Sequence, residues 1–364
     1  MRHVAIIGGG VAGLTVAFRR SQLGDRVSLF EAGSRLGGQL YTEQAGGFLI
    51  EHGAEGFVAG SEAVAELAGS AGIAHELRDQ LLRDSCRFDG SQLTRLEPGQ
   101  AGKLLGFQVG SRAFGRGIQS FLPGMSRIVE ALRAALSGQA RCALESPIAR
   151  LERAPGGVGW LLSSASGAPT TTADVVVVAT SASHAGRLLE GSFGPAASAL
   201  QSSTALSNVS VSLAYERSHI AHTLDATGFV VAEEAQDEGF RACTFASSKL
   251  PGRAPASHAL LRLFFRPTPE ELAELPDREW IARAERCTAR ALSLRGPAER
   301  GWVSRWDRAL PVFDADHRAR IQALEALLAG TGILLAGAAF HGSGIEGAVL
   351  SANVAASSLS RGSG

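Results

Sequence analysis

Lysine is almost missing from this chain. It occurs only at Lys103 and Lys249, and the remaining basic residues are arginine. Genomic composition bias accounts for such a preference, but the scarcity limits which lysine could serve in catalysis. Net charge is missing too: 35 basic residues balance 35 acidic ones. No long-range field therefore recruits nucleic acid or an anionic membrane, and neither is expected as a partner. The four cysteines, Cys86, Cys142, Cys243 and Cys287, form no CxxC pair and no metal-ligand spacing, so no metal site is expected. They read as apolar fillers in a reducing compartment. No apolar run is long enough for a transmembrane span, and the chain enters a strand directly after Met1-Arg2-His3, leaving no room for a signal peptide. A cytoplasmic location is the expectation. There is no internal repeat or low-complexity tract, and 364 residues suffice for two domains with sizeable cores.

What is present begins at Val4. The run VAIIGGGVAGL reads as a buried strand, a glycine turn and a helix opening near Val11, followed by a second strand, Val27 to Phe30, that ends at Glu31. Gly8 permits the tight turn, Gly10 lets a pyrophosphate touch the backbone, and Gly13 lets the helix pack closely on the strand. The helix start at Val11 and Ala12 points its free N–H groups at that anion. Glu31 stands where a carboxylate binds both ribose hydroxyls and repels a 2′-phosphate, which disfavours NADP. The unit alone leaves FAD and NAD open. The E-x-x-x-R-x-G-G run formed by Glu31, Arg35, Gly37 and Gly38 then favours FAD, because an arginine and two glycines suit a second pass against the pyrophosphate.

Further along, Phe48 to Phe57 is a short strand breaking into glycine-spaced backbone. Its Glu51, His52 and Glu55 could be catalytic, but the reading preferred here is that the glycines let the backbone approach a flat ring. Ser61 caps a helix bearing Val64, Leu67 and Ala68, which ends near Gly72. A hairpin from Leu82 to Leu96 turns at Asp89-Gly90. Pro98 to Gly117 reads as a loop near the site, and a helix covers Met125 to Leu136. Strands at Ile148 to Arg153 and Gly159 to Ser163 precede Val175-Val176-Val177-Val178, which signals a strand buried on both faces. Strands at Val209 to Tyr215, Phe229 to Ala232, Ala242 to Ala246 and Ala259 to Phe265 follow, then a helix capped by Asp277. Trp302 to Phe313 leads into a helix from Asp316 to Leu328. The buried strand Ile333 to Gly337, the glycine turn around Gly344 and a small-residue helix close the chain as a second anion-friendly terminus. The fold class is α/β: a discontinuous Rossmann-like FAD-binding domain (1–75, 140–200 and 302–364) plus a second α+β substrate domain with a mixed or antiparallel sheet (76–139 and 201–301).

Taken together, IIGGGVAGL, LFEAGSRLGG, IEHGAEGF, FLPGMSRIVEAL, DVVVVATSA, WDRALPVFDADH and LLAGAAFHGSGIEGAVLSANVAA resemble the flavin-dependent amine oxidase superfamily. Within it the resemblance is to protoporphyrinogen and coproporphyrinogen oxidases. The stretches cover about two thirds of the chain in family order. The resemblance implies non-covalent FAD. Gly8, Gly10, Gly13, Glu31 and Arg35 would hold its pyrophosphate and ribose, and Ile148 would pass beside adenine. Gly38, Gly53 and Ala54 would border the ring, and Gly337 with Gly344-Ile345-Glu346 would meet the ribityl chain and the pyrimidine edge. The family's LPxY…H pattern is present at Leu310-Pro311 and His317, with Phe313 in place of tyrosine. Substrate contacts are expected from Phe57, Arg83 and Arg87.

The chain departs from the family where a long, mostly helical stretch usually follows the hairpin. Here Pro98 to Pro123 replaces it, so much of the substrate cap is missing. The implied reaction is oxidation of a small molecule at a C–H next to nitrogen or a conjugated system, with oxygen as electron acceptor. His341 is the candidate proton carrier, set against a packing role. The strand Val209 to Tyr215 offers Ser210 and Ser212 but not the lysine that amine oxidases place there. Alternatives are an amine oxidase or desaturase of a specialised-metabolite pathway, or a non-redox flavoprotein isomerase. A homodimer, or a partner chain that supplies the missing cap, also stays open.

Overall fold

The computed structural model describes residues 1–97, 99–105, 116–165, 169–201 and 203–359. Its organising element is a five-stranded, wholly parallel sheet. The strand order is Ala140–Ala143, Arg26–Phe30, His3–Ile7, Val175–Val178 and Ile333–Leu335. His3–Ile7 and Val175–Val178 are buried at every position, because helices or strands cover both faces of the sheet. On one face lie the helices Val11–Gln22, Ser126–Leu136 and Gly344–Ser358, whose Leu14, Leu132 and Val349 are fully buried against Val4, Ile6 and Val177. Burying each such side chain contributes about 1.5–3 kcal/mol. On the other face sits a three-stranded antiparallel layer, Ile148–Arg153, Trp160–Ser164 and Pro169–Ala173, with the helices Ala182–Gln201 and His317–Leu328.

A second, seven-stranded sheet forms a wall. Its order is Arg300–Pro311, Ala205–Glu216, His258–Phe265, Phe240–Thr244, Gly228–Val231, Ser85–Phe88 and Leu93–Leu96. Neighbours are antiparallel except Gly228–Val231 beside Ser85–Phe88, so the sheet is mixed. The period of two along Ala205–Glu216 sends Val209, Val211, Leu213 and Tyr215 into a core with Trp280 of the helix Asp277–Leu292. It turns the intervening Ala214 toward Phe48 and Ile50 of the hairpin Thr42–Ala45/Phe48–Glu51. Ser210 and Ser212 share that inner face. A small sheet of Phe57–Val58, Ile118–Phe121 and Leu77–Asp79 completes the fold. Among the described residues no helix is long and apolar enough to cross a membrane.

Several expectations need correction. Arg300–Pro311 is the edge strand of the wall, paired with Ala205–Glu216, so residues 302–311 leave the nucleotide unit to which they were assigned. Ser126–Leu136, expected in the substrate domain, packs on the first helix in the nucleotide core. The helix after Pro276 takes Pro276 as its N-cap and Asp277 as its first residue, so Asp277 is not the cap. Within the expected loop Pro98 to Gly117 there is a short helix, Gln100–Leu104, and Pro98 and residues 106–115 lie outside the described residues. The helix Ala182–Gln201 went unforeseen because Gly194 (φ 52°) and Pro195 kink it.

Candidate cofactor cleft and ring-side segment

The turn after the first strand is built from close backbone approaches. Gly8 adopts φ 108° and donates its N–H to the Phe30 carbonyl at 2.8 Å. A Cβ on Gly8 would lie 2.4 Å from the Ala179 carbonyl oxygen, and one on Gly13 would lie 2.0 Å from that of Gly8. Both positions therefore exclude any side chain. Gly10 differs: a Cβ there meets nothing within 4 Å, so its missing side chain leaves open space above the helix start. That helix has no side-chain cap and no acidic residue in its first turn, so its leading N–H groups are available to an anion.

The arginine-glycine-glycine run folds directly onto this turn. Gly37 donates to the Gly9 carbonyl at 2.8 Å, and Gly38, at φ 55°, would bring a Cβ to 3.2 Å from the α-carbon of Gly10. Arg35 donates to the Gly38 carbonyl at 2.8 Å, with its guanidinium 4.4 Å from the centre of the Tyr41 ring. Glu31 accepts N–H groups from Gly9 (2.6 Å) and Gly33 (2.8 Å), one on each carboxylate oxygen. Each oxygen keeps a further acceptor site. Glu31, Arg35, Gly38 and Gln39 line a cleft of about 630 Å³ together with Arg187, Trp306 and Arg308. That volume lies within the range of cofactor pockets.

The C-terminal turn reaches the same place. A Cβ on Gly337 (φ 130°) would lie 3.8 Å from that of Ala12, and the Gly337 N–H donates to the buried Ser351 hydroxyl at 3.1 Å. Gly344 opens the last helix, again without a side-chain cap, with Ile345 buried and Glu346 in the first turn. Ile148 is buried at the start of its strand. Just before it, Ser146 donates its N–H to the Glu31 carbonyl at 2.8 Å, which brings this segment alongside the ribose-binding position. Open space over Gly10, two uncapped helix starts and a carboxylate with spare acceptors fit a dinucleotide such as FAD.

The segment Glu51–Phe57 runs from this turn to the wall. A Cβ on Gly53 would fall 1.6 Å from the Gln39 carbonyl oxygen, so Gly53 is required by backbone packing. The His52 carbonyl accepts from Trp306 Nε1 (2.7 Å) and Arg262 Nη2 (3.1 Å). Its ring stacks on Tyr41 at 4.6 Å and bonds Ser304 (2.7 Å) and Glu43 (2.8 Å). Glu51 accepts from the Met125 N–H (2.8 Å) and the Thr42 hydroxyl (2.7 Å), and burial pushes its pKa up against the pull of Arg253. Burial also works against the Glu55 carboxylate. There Lys249, which ion-pairs with it, and Arg262 outweigh the burial and hold its pKa below the ordinary carboxylate value. Each of these three residues thus has a structural partner. Sequence reasoning missed Lys249, Arg253, Arg262 and Trp306. The detectable signal was a charged residue inside the apolar strand HALLRLFF.

His341 pairs with Glu325 at 3.0 Å and is exposed, in the turn between Gly337 and Gly344. Phe57, expected to touch substrate, is 4% exposed and belongs to the nucleotide core. Arg87 is ion-paired with Glu234, and Arg83 is exposed beside the same hairpin. The cysteine thiols are pushed up by burial, Cys287 to about 11, which suits apolar filling.

Comparison with known proteins agrees with this geometry. The family described as flavin containing amine oxidoreductase matches residues 90–359, and an NAD(P)-binding Rossmann-like domain matches residues 6–70. The coproporphyrinogen III oxidase of Bacillus subtilis (strain 168) is 30% identical over 174 residues, 47% of this chain and 36% of that protein. The enzyme of the same name from Propionibacterium freudenreichii subsp. freudenreichii is 29% identical over 175 residues, 48% of this chain and 33% of its own length. The matches thus span about a third of these relatives. Among solved structures, a protein assigned as a protoporphyrinogen oxidase from Exiguobacterium sp. 255-15 superposes with a TM-score of 0.83 at 22% identity, covering 98% of each chain. Cyclohexylamine oxidase from Brevibacterium oxydans IH-35A does so with a TM-score of 0.75 at 16% identity, covering 99% of each. Both likenesses concern the fold.

Proposed function

Since the chain belongs to the flavin containing amine oxidoreductase family, we propose that it is an FAD-dependent oxidase or dehydrogenase acting on a small molecule at a C–H next to nitrogen or a conjugated system. The observation that carries this reading is the meeting of the two glycine turns, with Gly337 set against Ala12 beside the Gly10–Gly38 contact. Gly8, Gly10, Gly13, Arg35, Gly37 and Gly38 would hold the pyrophosphate, Glu31 the ribose, and Ile148 the adenine side. Gly53, Ala54, Gly337 and the turn Gly344-Ile345-Glu346 would border the ring and ribityl chain. When bound, FAD supplies a two-electron acceptor for the departing hydride and returns those electrons to oxygen.

The protein's share is placement. Arg262 and Trp306 fix the His52 carbonyl and thereby the backbone of Gly53. Binding would be non-covalent, because the last glycine turn and helix, residues 337–359, contain no cysteine. The coproporphyrinogen III oxidase relatives bring a porphyrinogen to this chain as the first substrate class to try. The shortened segment after the hairpin favours something smaller. Anaerobic mixing with candidate substrates tests the reading. Bleaching of the visible flavin band supports it, and product formation without bleaching overturns it in favour of a non-redox role.

A further inference from the structure

Between the ring-side segment and the wall sheet lies a group of buried charges, of which the oxidation reading uses only the hydrogen bond from Arg262 to the His52 carbonyl. Arg253 and Arg262 are 2% and 4% exposed. Lys249 is ion-paired with Glu55, and Arg253 lies 3.7 Å from Glu51. Arg262 has no carboxylate within 4.0 Å among the described residues. Its Nη2 is spent on the His52 carbonyl and the Ser210 hydroxyl, both at 3.1 Å. Three cations thus face two carboxylates, a surplus of one positive charge. The Nε–H groups of both arginines are buried without a partner. Both arginines line a cavity of about 10 Å³, together with Glu51, Glu55, Ser212 and the apolar Leu49, Ala246, Leu250 and Leu260. Such a space holds one particle about the size of a water molecule.

We propose that this cavity is a buried halide site, occupied by one chloride ion that accepts the Nε–H groups of Arg253 and Arg262 and the hydroxyl of Ser212. A water molecule could accept the same donors but would leave the surplus charge uncompensated in a low-dielectric interior, where an isolated ion is strongly disfavoured. Sulfate or a substrate carboxylate exceeds the available volume. Chloride is slightly larger than water and needs only a small outward shift of two long side chains. The ion would clamp Glu51–Glu55, and with it Gly53 and Ala54, against Ser212 of the wall. The inference does not depend on the flavin reading, since every residue it uses is accounted for without a cofactor.

Crystals of the full chain grown in sodium bromide test it directly. An anomalous bromine peak between Arg253 Nε and Arg262 Nε is expected. Bromide peaks confined to the surface, an adventitious ion only, overturn the proposal, as does water-level density in the cavity. In solution, at fixed ionic strength, the thermal midpoint should be higher in chloride than in gluconate by about 2 °C or more. Arg262→Met should erase that difference. Equal wild-type midpoints in the two salts contradict the site. If Arg262→Met does not fold, the bromide map of the wild-type chain decides the matter alone.

Discussion

Glu31 accepts the N–H of Gly9 at 2.6 Å, so the carboxylate proposed to hold the ribose also fixes the glycine turn that faces the pyrophosphate. Its two roles share one side chain. Glu31→Ala should therefore strip FAD during purification and also lower the stability of the flavin-free protein by roughly 1–3 kcal/mol, because the Gly9 and Gly33 N–H groups lose their acceptor. Flavin content and urea denaturation check the two effects. Full flavin retention contradicts the ribose role.

Gly10 and Gly13 should separate binding from folding. A Cβ at Gly13 collides with the Gly8 carbonyl, so Gly13→Ala should destabilise the fold by about 3 kcal/mol or more. At Gly10 the same change enters open space. Gly10→Ala should leave the thermal midpoint of the flavin-free protein near wild type while abolishing FAD uptake. A Gly10→Ala protein that loads FAD normally places the pyrophosphate elsewhere.

Lys249 and Glu55 should shape stability on the acid side. Since Glu55 is held below its ordinary value, the unfolded chain takes up a proton at a pH where the folded one does not. Its contribution is fully present above the unfolded pKa and is lost as pH falls through the folded one. Glu51, raised by burial, has the opposite sign: its contribution is lost as pH rises. Lys249→Met should lower stability at neutral pH by about 2–4 kcal/mol and flatten the acid limb, and adding Glu55→Gln should recover much of the loss. An unchanged acid limb in the single variant rules out the pairing as its source.

His341 gives a negative control. Its partner Glu325 is part-exposed, and such pairs contribute at most about 1 kcal/mol. His341→Ala should change the rate of flavin reduction by less than about fivefold. A larger loss in single-turnover reduction would return His341 to the chemistry that the sequence suggested for it.

The nucleotide unit was legible because its signals are local. Strand valines, glycines at fixed offsets and one terminal acid all act within Val4–Gly38, and the structure bears out each of these elements. The wall was half legible. Its inner strands carry strong alternation, whereas the edge strand Arg300–Pro311 pairs on one side and tolerates three arginines with little apolar pattern. Gly186, Gly191 and the Gly194-Pro195 break disguised the helix Ala182–Gln201. The ring-side network was illegible for a different reason. Lys249, Arg253 and Arg262 reach Glu55, Glu51 and His52 from some two hundred positions away in sequence, and no local pattern specifies such partners.

The central claim is that both ends of the chain clasp one flavin. It is tested most directly by denaturing the purified protein and quantifying the released cofactor by absorbance and chromatography. The expected result is one FAD per chain, released intact without proteolysis. A colourless protein that takes up no added FAD would contradict the account.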